Sequence, residues 1–163
     1  MEVLIVPIRN ESSAAVIDII LPIQQIEFNV PITLNDQPDL LDIENAYYKS
    51  GGGFWGAKVN EELAGTIALI KYDNDSAAIR KMFVKKDFRG KELGLAQLLL
   101  ETLIAYCKEN NIHHLYLGTV SVLQAAMRFY ERNGFEKIEK SALPESFPLM
   151  AADNVFYHLA IKS

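Results

Sequence analysis

Between Arg80 and Lys91 the chain places six basic residues, Arg80, Lys81, Lys85, Lys86, Arg89 and Lys91, against the single acid Asp87. It then runs directly into an apolar helical pattern. A local charge of +5 therefore sits in a chain whose total is −5, leaving −10 for the remainder. Charge confined in this way suits a small polyanion. A nucleic-acid binder spreads positive charge over a face or keeps a basic overall balance, so no nucleic-acid partner is expected. The segment "RGKELG" joins a strand ending in basic residues to a helix, and a helix start offers unpaired backbone N–H groups and the positive end of a dipole. Gly90 and Gly94 let backbone approach a ligand closely, and Arg89 and Lys91 bring charge beside a phosphate. The spacing matches neither G-x-G-x-x-G nor G-x-x-x-x-G-K-[ST], which excludes the dinucleotide and P-loop fingerprints.

The second chemical candidate is Tyr130, in "SVLQAAMRFYERNGF". Ser121 and Gln124 have capping-box spacing, and Asn133-Gly134 supply a left-handed stop. Val122, Ala125, Ala126, Phe129 and Tyr130 form one stripe, which turns the Tyr130 ring toward the sheet, where its hydroxyl needs a partner. Cys107, the only cysteine, lies on an apolar helical stripe and reads as a small core residue, and a single cysteine allows neither an internal disulfide nor a multi-cysteine metal site. His113, His114 and His158 form no ligand cluster, and no metal is expected. His158 is a weak candidate for a base.

The elements that must hold these residues follow from periodicity. "VLIVPI" reads as a strand, "SSAAVIDIILPIQQIEF" as a helix interrupted near Pro22, and "QPDLLDIENAYY" as a second helix. "GFWGAKVN" and "LAGTIALIKY" form a hairpin, and "SAAIRKMFV" adds a third antiparallel strand. In "LGLAQLLLETLIAYCKEN", Ala96, Leu99, Leu100, Leu103, Ile104 and Cys107 recur at helical spacing. "HHLYLGT" is a buried strand, and "FEKIEK" and "NVFYHLAIK" close the sheet. This order predicts an α+β, mixed α/β fold instead of a doubly wound one. Residues 1–163 carry no linker or composition break, so one domain is expected. No apolar run reaches the roughly 20 residues of a membrane span, and no signal segment opens the chain, so a soluble, cytoplasmic protein without a membrane partner is expected.

Taken in order, "IRKMFV", "RGKELG", "HLYLGT" and "FYERNGF" resemble the GNAT superfamily of acetyl-CoA-dependent N-acyltransferases, with the likeness covering about Gly53 to Ile138. The resemblance implies a central, mostly antiparallel twisted sheet with helices on both faces. It implies acetyl-CoA as cosubstrate, its pantetheine arm along the backbone of Met82 and Val84. A backbone N–H near Met82 or Phe83 would then polarise the thioester carbonyl. The loop of Arg89, Gly90, Lys91, Glu92, Leu93, Gly94, Leu95 and Ala96 would hold the pyrophosphate. Tyr130 falls at the family's general-acid position, with direct attack by an amine and no covalent enzyme intermediate. Two positions depart from the pattern: Glu92 replaces the first motif glycine, and Leu123 stands where many members have asparagine. A module that binds acyl-CoA without turnover is the alternative.

For the acceptor, Asn10 to Tyr48 carries seven acids and no Lys or Arg. If that stretch walls the acceptor side, as the resemblance implies, a cationic small molecule or peptide amine is favoured; solvated acidic faces are the other reading. Trp55 reads as a core residue in preference to an acceptor platform. A homodimer is compatible with the sequence, as is a monomer.

Overall fold

The computed structural model describes residues 2–90 and 92–162, so the expectation for Lys91 lies outside the described residues. Strand β1 (Val3–Pro7) pairs with β2 (Gly53–Val59), β2 with β3 (Glu62–Lys71) and β3 with β4 (Ser76–Val84), all antiparallel. Asn60 and Glu61 both have positive φ, which gives the β2–β3 hairpin the two-residue turn whose twist matches its strands. β5 (His114–Thr119) lies parallel to β4, followed across the sheet by β7 (Val155–Ala160) and β6 (Glu136–Ile138). The order β1-β2-β3-β4-β5-β7-β6 is the mixed, mostly antiparallel sheet that the resemblance implied.

Each face of the sheet has its own core. Helix α2 (Leu95–Glu109) buries Leu95, Leu99, Leu100, Leu103 and Cys107 against Ile67, Leu69, Ile79 and Leu115. Each large apolar side chain so buried contributes about 1.5–3 kcal/mol. Burial also pushes the Cys107 thiol up to about 12, which leaves it un-ionised and unreactive at neutral pH. On the other face, Val16 and Ile20 of helix α1 (Ser13–Pro22) meet Leu40, Ile43, Tyr47, Phe54 and Ala68. Trp55 packs edge-on to Tyr106 at 5.3 Å as part of the α2-side core.

The interruption near Pro22 is present, and two other local expectations need correction. Pro22 is the last residue of α1. Lacking an N–H it breaks the i→i−4 pattern, and the chain continues as a wider turn, Ile23–Glu27, closed by Phe28 N–H to Ile23 O at 3.1 Å. The segment 37–48 is not one helix but separate turns, Pro38–Leu41 and Glu44–Tyr48, because Asp42 leaves the helical region at φ −149° and ψ 73°. Helix α3 (Gln124–Arg132) begins three residues after Ser121 and has no side-chain cap. Ser121 bonds instead to Asn154, through its N–H at 2.9 Å and its hydroxyl at 3.3 Å. The far end of α3 follows expectation: Gly134 is left-handed at φ +89°, and the N–H groups of Phe135 and Gly134 close back on Tyr130 O and Glu131 O. Among the described residues no helix is long and apolar enough to cross a membrane, and no three His, Cys, Asp or Glu converge as a metal site.

Candidate active site

β4 organises the site through two irregularities. Its ladder with β5 covers only Ser76↔His114, Ala77↔Leu115 and Ala78↔Tyr116, after which β5 stays with β7. From Ile79 onward the β5-facing edge of β4 has no strand beside it, and a wedge opens between the two. The second irregularity is a bulge. Thr66 pairs with Phe83 and Ala68 with Arg80, so Lys81 and Met82 together face Ile67. Lys81 takes φ +53°, a conformation a lysine adopts only when held. Its carbonyl accepts the Thr66 hydroxyl at 2.7 Å, and its amine donates to Gln37 and lies 3.6 Å from Asp39. The extra residue shifts the alternation: Ala77 and Ile79 face the α2 core before the bulge, and Met82 and Val84 do so after it.

Thr66 is fully buried, so Thr66→Val leaves the Lys81 carbonyl without its partner in nearly unchanged volume. Urea denaturation of that variant is expected to report a loss of about 1–3 kcal/mol.

A cleft of about 680 Å³ runs along this freed edge of β4. Met82, Phe83 and Val84 form its floor, the turn from Phe88 to Gly90 and the start of α2 one end, and α3 one side. Gly90 has φ +126° with nothing within 4 Å of where a Cβ would stand, and Gly94 opens α2 at φ +59° with no side-chain cap. The first-turn N–H groups of α2 are therefore presented beside open space. Arg89 lines the cleft but is already engaged. Its Nε donates to Val84 O at 2.8 Å, its two terminal nitrogens grip the Glu27 carboxylate, one at 2.8 Å, and its guanidinium lies 6.0 Å from the Phe28 ring centre. That grip holds the Glu27 carboxyl below its ordinary value.

A smaller cavity of about 140 Å³ opens on the other side of the bulge, lined by the α1 extension, the bulge itself, the end of β5 and the loop before β7. The two spaces meet at Met82, Phe83, Leu123 and Tyr130. Tyr130 is only 6% exposed, and among the described residues its hydroxyl has one hydrogen-bond partner, the Met82 sulfur at 3.5 Å. Burial holds its pKa above the ordinary tyrosine value, with the nearby Asp153 charge adding to the effect. Among the described residues it is the one hydroxyl-bearing side chain that lines both cavities.

Of the residues expected from the sequence, Met82, Phe83, Val84, Arg89, Gly90, Gly94, Leu95, Ala96 and Tyr130 come together along the cleft. Glu92 and Leu93 do not reach it: Glu92 is exposed, and Leu93 packs half-buried against the α2-side core. Val122 and Ala125, expected to face the core, are exposed and line the cleft, because the first turns of α3 stand over the wedge where no sheet lies beneath them. None of the seven acids between Asn10 and Tyr48 lines either space; the uncharged Ile23, Gln24, Phe28 and Gln37 do. His158 is stacked on His114, Nε2 to Nδ1 3.0 Å, away from both cavities. The missed residues are Arg80, Lys81 and Asp153 of the smaller cavity. The basic pair was visible as charge but assigned to the polyanion, and Asp153 carried no signal.

A family model described as the acetyltransferase (GNAT) family matches residues 18–135. The chain belongs to the GNAT acetyltransferase family. A GNAT-family acetyltransferase from Staphylococcus aureus Mu50 is 42% identical, with a TM-score of 0.95 over 99% of this chain and 100% of its own. N-acetylaspartate synthetase from Danio rerio is 35% identical over 102 residues, 61% of this chain and 36% of the relative. The probable N-acetyltransferase camello of Xenopus tropicalis is 29% identical over 129 residues, 77% of this chain and 58% of the relative. The chain thus spans between about a third and three-fifths of these curated relatives. The acetyl donor of a GNAT acetyltransferase is acetyl-CoA, and the open space at Gly90, the uncapped start of α2 and the unpaired edge of β4 fit a long ligand with a phosphate end.

Proposed function

We propose that this GNAT protein transfers an acetyl group from acetyl-CoA to a primary amine by direct attack. The observation that carries this reading is the meeting of a long cleft and a small cavity at Met82, Phe83 and Tyr130, where the β4–β5 ladder has already ended. When bound, acetyl-CoA supplies an acetyl thioester open to an amine nitrogen. Met82, Phe83 and Val84 hold the donor's arm by their unpaired edge, and Arg89, Gly90 and Gly94 to Ala96 hold its phosphates. The amine attacks as the free base after its ammonium has lost a proton to solvent. The Tyr130 hydroxyl, which keeps its proton at neutral pH because burial disfavours the phenolate, protonates the departing sulfur, and the N–H proton shed by the acylated nitrogen returns to the phenolate through solvent. The buried, un-ionised Cys107 gives no competing nucleophile.

Incubation with acetyl-CoA and a panel of amines, followed by free-thiol detection, tests the whole reading. Amine-dependent thiol release above hydrolysis is expected. Tight CoA binding without release across the panel would instead make the protein a non-catalytic acyl-CoA-binding module.

Arg89 must exchange Glu27 for a phosphate in this reading. Arg89→Ala is accordingly expected to weaken CoA by about tenfold or more, the scale of one charge-assisted contact. Glu27→Gln, which frees the guanidinium, should tighten CoA at low salt, with the gain shrinking as salt rises. Calorimetry at two ionic strengths measures both, and an unchanged affinity in Arg89→Ala removes the residue from the phosphate site.

A further inference from the structure

The smaller cavity carries charges that a plain amine would not need. Arg80 and Lys81 enter it from the bulge of β4, and Asp153 enters from the loop that leads into β7. Lys81 is already occupied by Gln37 and Asp39. Arg80 is not. One of its terminal nitrogens donates to Pro148 O, and its other N–H groups have no acceptor among the described residues. A guanidinium that keeps a free fork inside a cavity is a receptor for a planar anion such as a carboxylate.

Asp153 has the opposite need. Its carboxylate lies against Gly118 of β5, where a Cβ would come within 2.4 Å of Oδ2, so the strand leaves room at that point for the carboxylate alone. It enters no salt bridge among the described residues. Burial raises its pKa even though Arg80 and Lys81 pull it down, the behaviour of a carboxylate that lacks a close cation. Asp153 and Tyr130 line the same cavity, and the Asp153 charge acts on the Tyr130 hydroxyl. The cavity is about a fifth of the cleft in volume, room for a small molecule and not for a folded surface.

We infer that the smaller cavity binds a small amino acid as the acetyl acceptor, its carboxylate on the Arg80 guanidinium and its ammonium on Asp153, beside Tyr130. This assignment rests on the acetyltransferase reading above and is reached from the charges of the cavity itself. It replaces the cationic acceptor expected from the acid-rich segment, since none of those acids lines the cavity.

The test compares the common amino acids with their α-carboxamides, alongside putrescine, spermidine and a tripeptide with a free N-terminus, in the thiol-release assay. At least one amino acid should exceed its amide in kcat/KM by about tenfold or more, the scale of a charge-assisted fork contact. The amide has the less basic amine and more of it is free at neutral pH, so a preference for the acid cannot come from nucleophilicity. Arg80→Gln should bring the acid-to-amide ratio close to one, mainly through KM, with Arg80→Lys intermediate. Because Arg80 also holds the loop at Pro148, calorimetric acetyl-CoA binding checks that the donor cleft of the variant is intact. Asp153→Asn, which leaves that tether alone, should raise KM for the preferred amino acid. If amides, polyamines or the peptide are acetylated as well as the acids or better, the inference is overturned and the acetyltransferase reading stands. If acetyl-CoA binds and no amine releases thiol, both fall.

Discussion

Tyr130→Phe is expected to bind acetyl-CoA with near-wild-type affinity and to turn over about 100-fold more slowly or worse, the usual scale for loss of a general acid. The ring stays in its packing against Phe129, Phe135 and Tyr157. Only the hydroxyl is lost, and its one hydrogen-bond partner among the described residues is the weakly accepting Met82 sulfur, so stability should change little. The pH dependence follows from the sign of the shift. Burial favours the neutral hydroxyl, so its pKa lies above the ordinary 10.0 and the acid form persists throughout the range in which the protein is assayed. No tyrosine limb should therefore appear in the wild-type rate below about pH 10, and the variant's profile should run parallel to it at a lower level. Stopped-flow turnover and calorimetric binding together decide the matter. A Phe variant with wild-type kcat moves the acid elsewhere, to an ordered water in the first instance.

Gly94→Val should produce the largest loss in donor binding. Position 94 opens α2 at φ +59°, where a β-branched side chain is strained by about 1–3 kcal/mol, and the added methyls stand beside the N–H groups offered to the phosphates. CoA affinity should fall by more than in Arg89→Ala, and thermal stability should fall with it. The comparison separates the two roles of the loop: the arginine contributes charge, the glycine the path of the backbone. Equal affinities in Gly94→Val and the parent would mean that the phosphates lie elsewhere.

How much of this could be seen in the sequence depended on how local the cause was. Strand and helix positions followed from periodicity because alternation and the 3.6-residue stripe are each set within one element. The loop at one end of the cleft was legible for the same reason: "RGKELG" is contiguous, and Gly90 and Gly94 mark its turns directly. The smaller cavity was not. It is assembled from the α1 extension, the bulge, the end of β5 and the loop at Asp153, which only tertiary packing brings together. The seven acids line neither space, and composition does not say where a side chain points: Glu27 went to Arg89, Asp39 to Lys81 and Tyr47, and Asp42 to Asn10. The Ser121 cap failed because a distant residue, Asn154, competed for the same hydroxyl.

The bulge in β4 also sets a rule for how this chain can change over generations. With one residue more than β3 opposite it, the strand exchanges its two faces midway, and that exchange turns Met82 and Val84 toward α2 while Phe83 turns to the other side. A substitution there alters one contact. A one-residue deletion anywhere between Ile79 and Val84 would instead realign the strand and reverse every later side chain, exchanging the sides to which Met82, Phe83 and Val84 turn. Descendants of this sequence are free to vary the identities along that stretch while its length stays fixed, and a deletion scan would find an abrupt intolerance confined to those few positions.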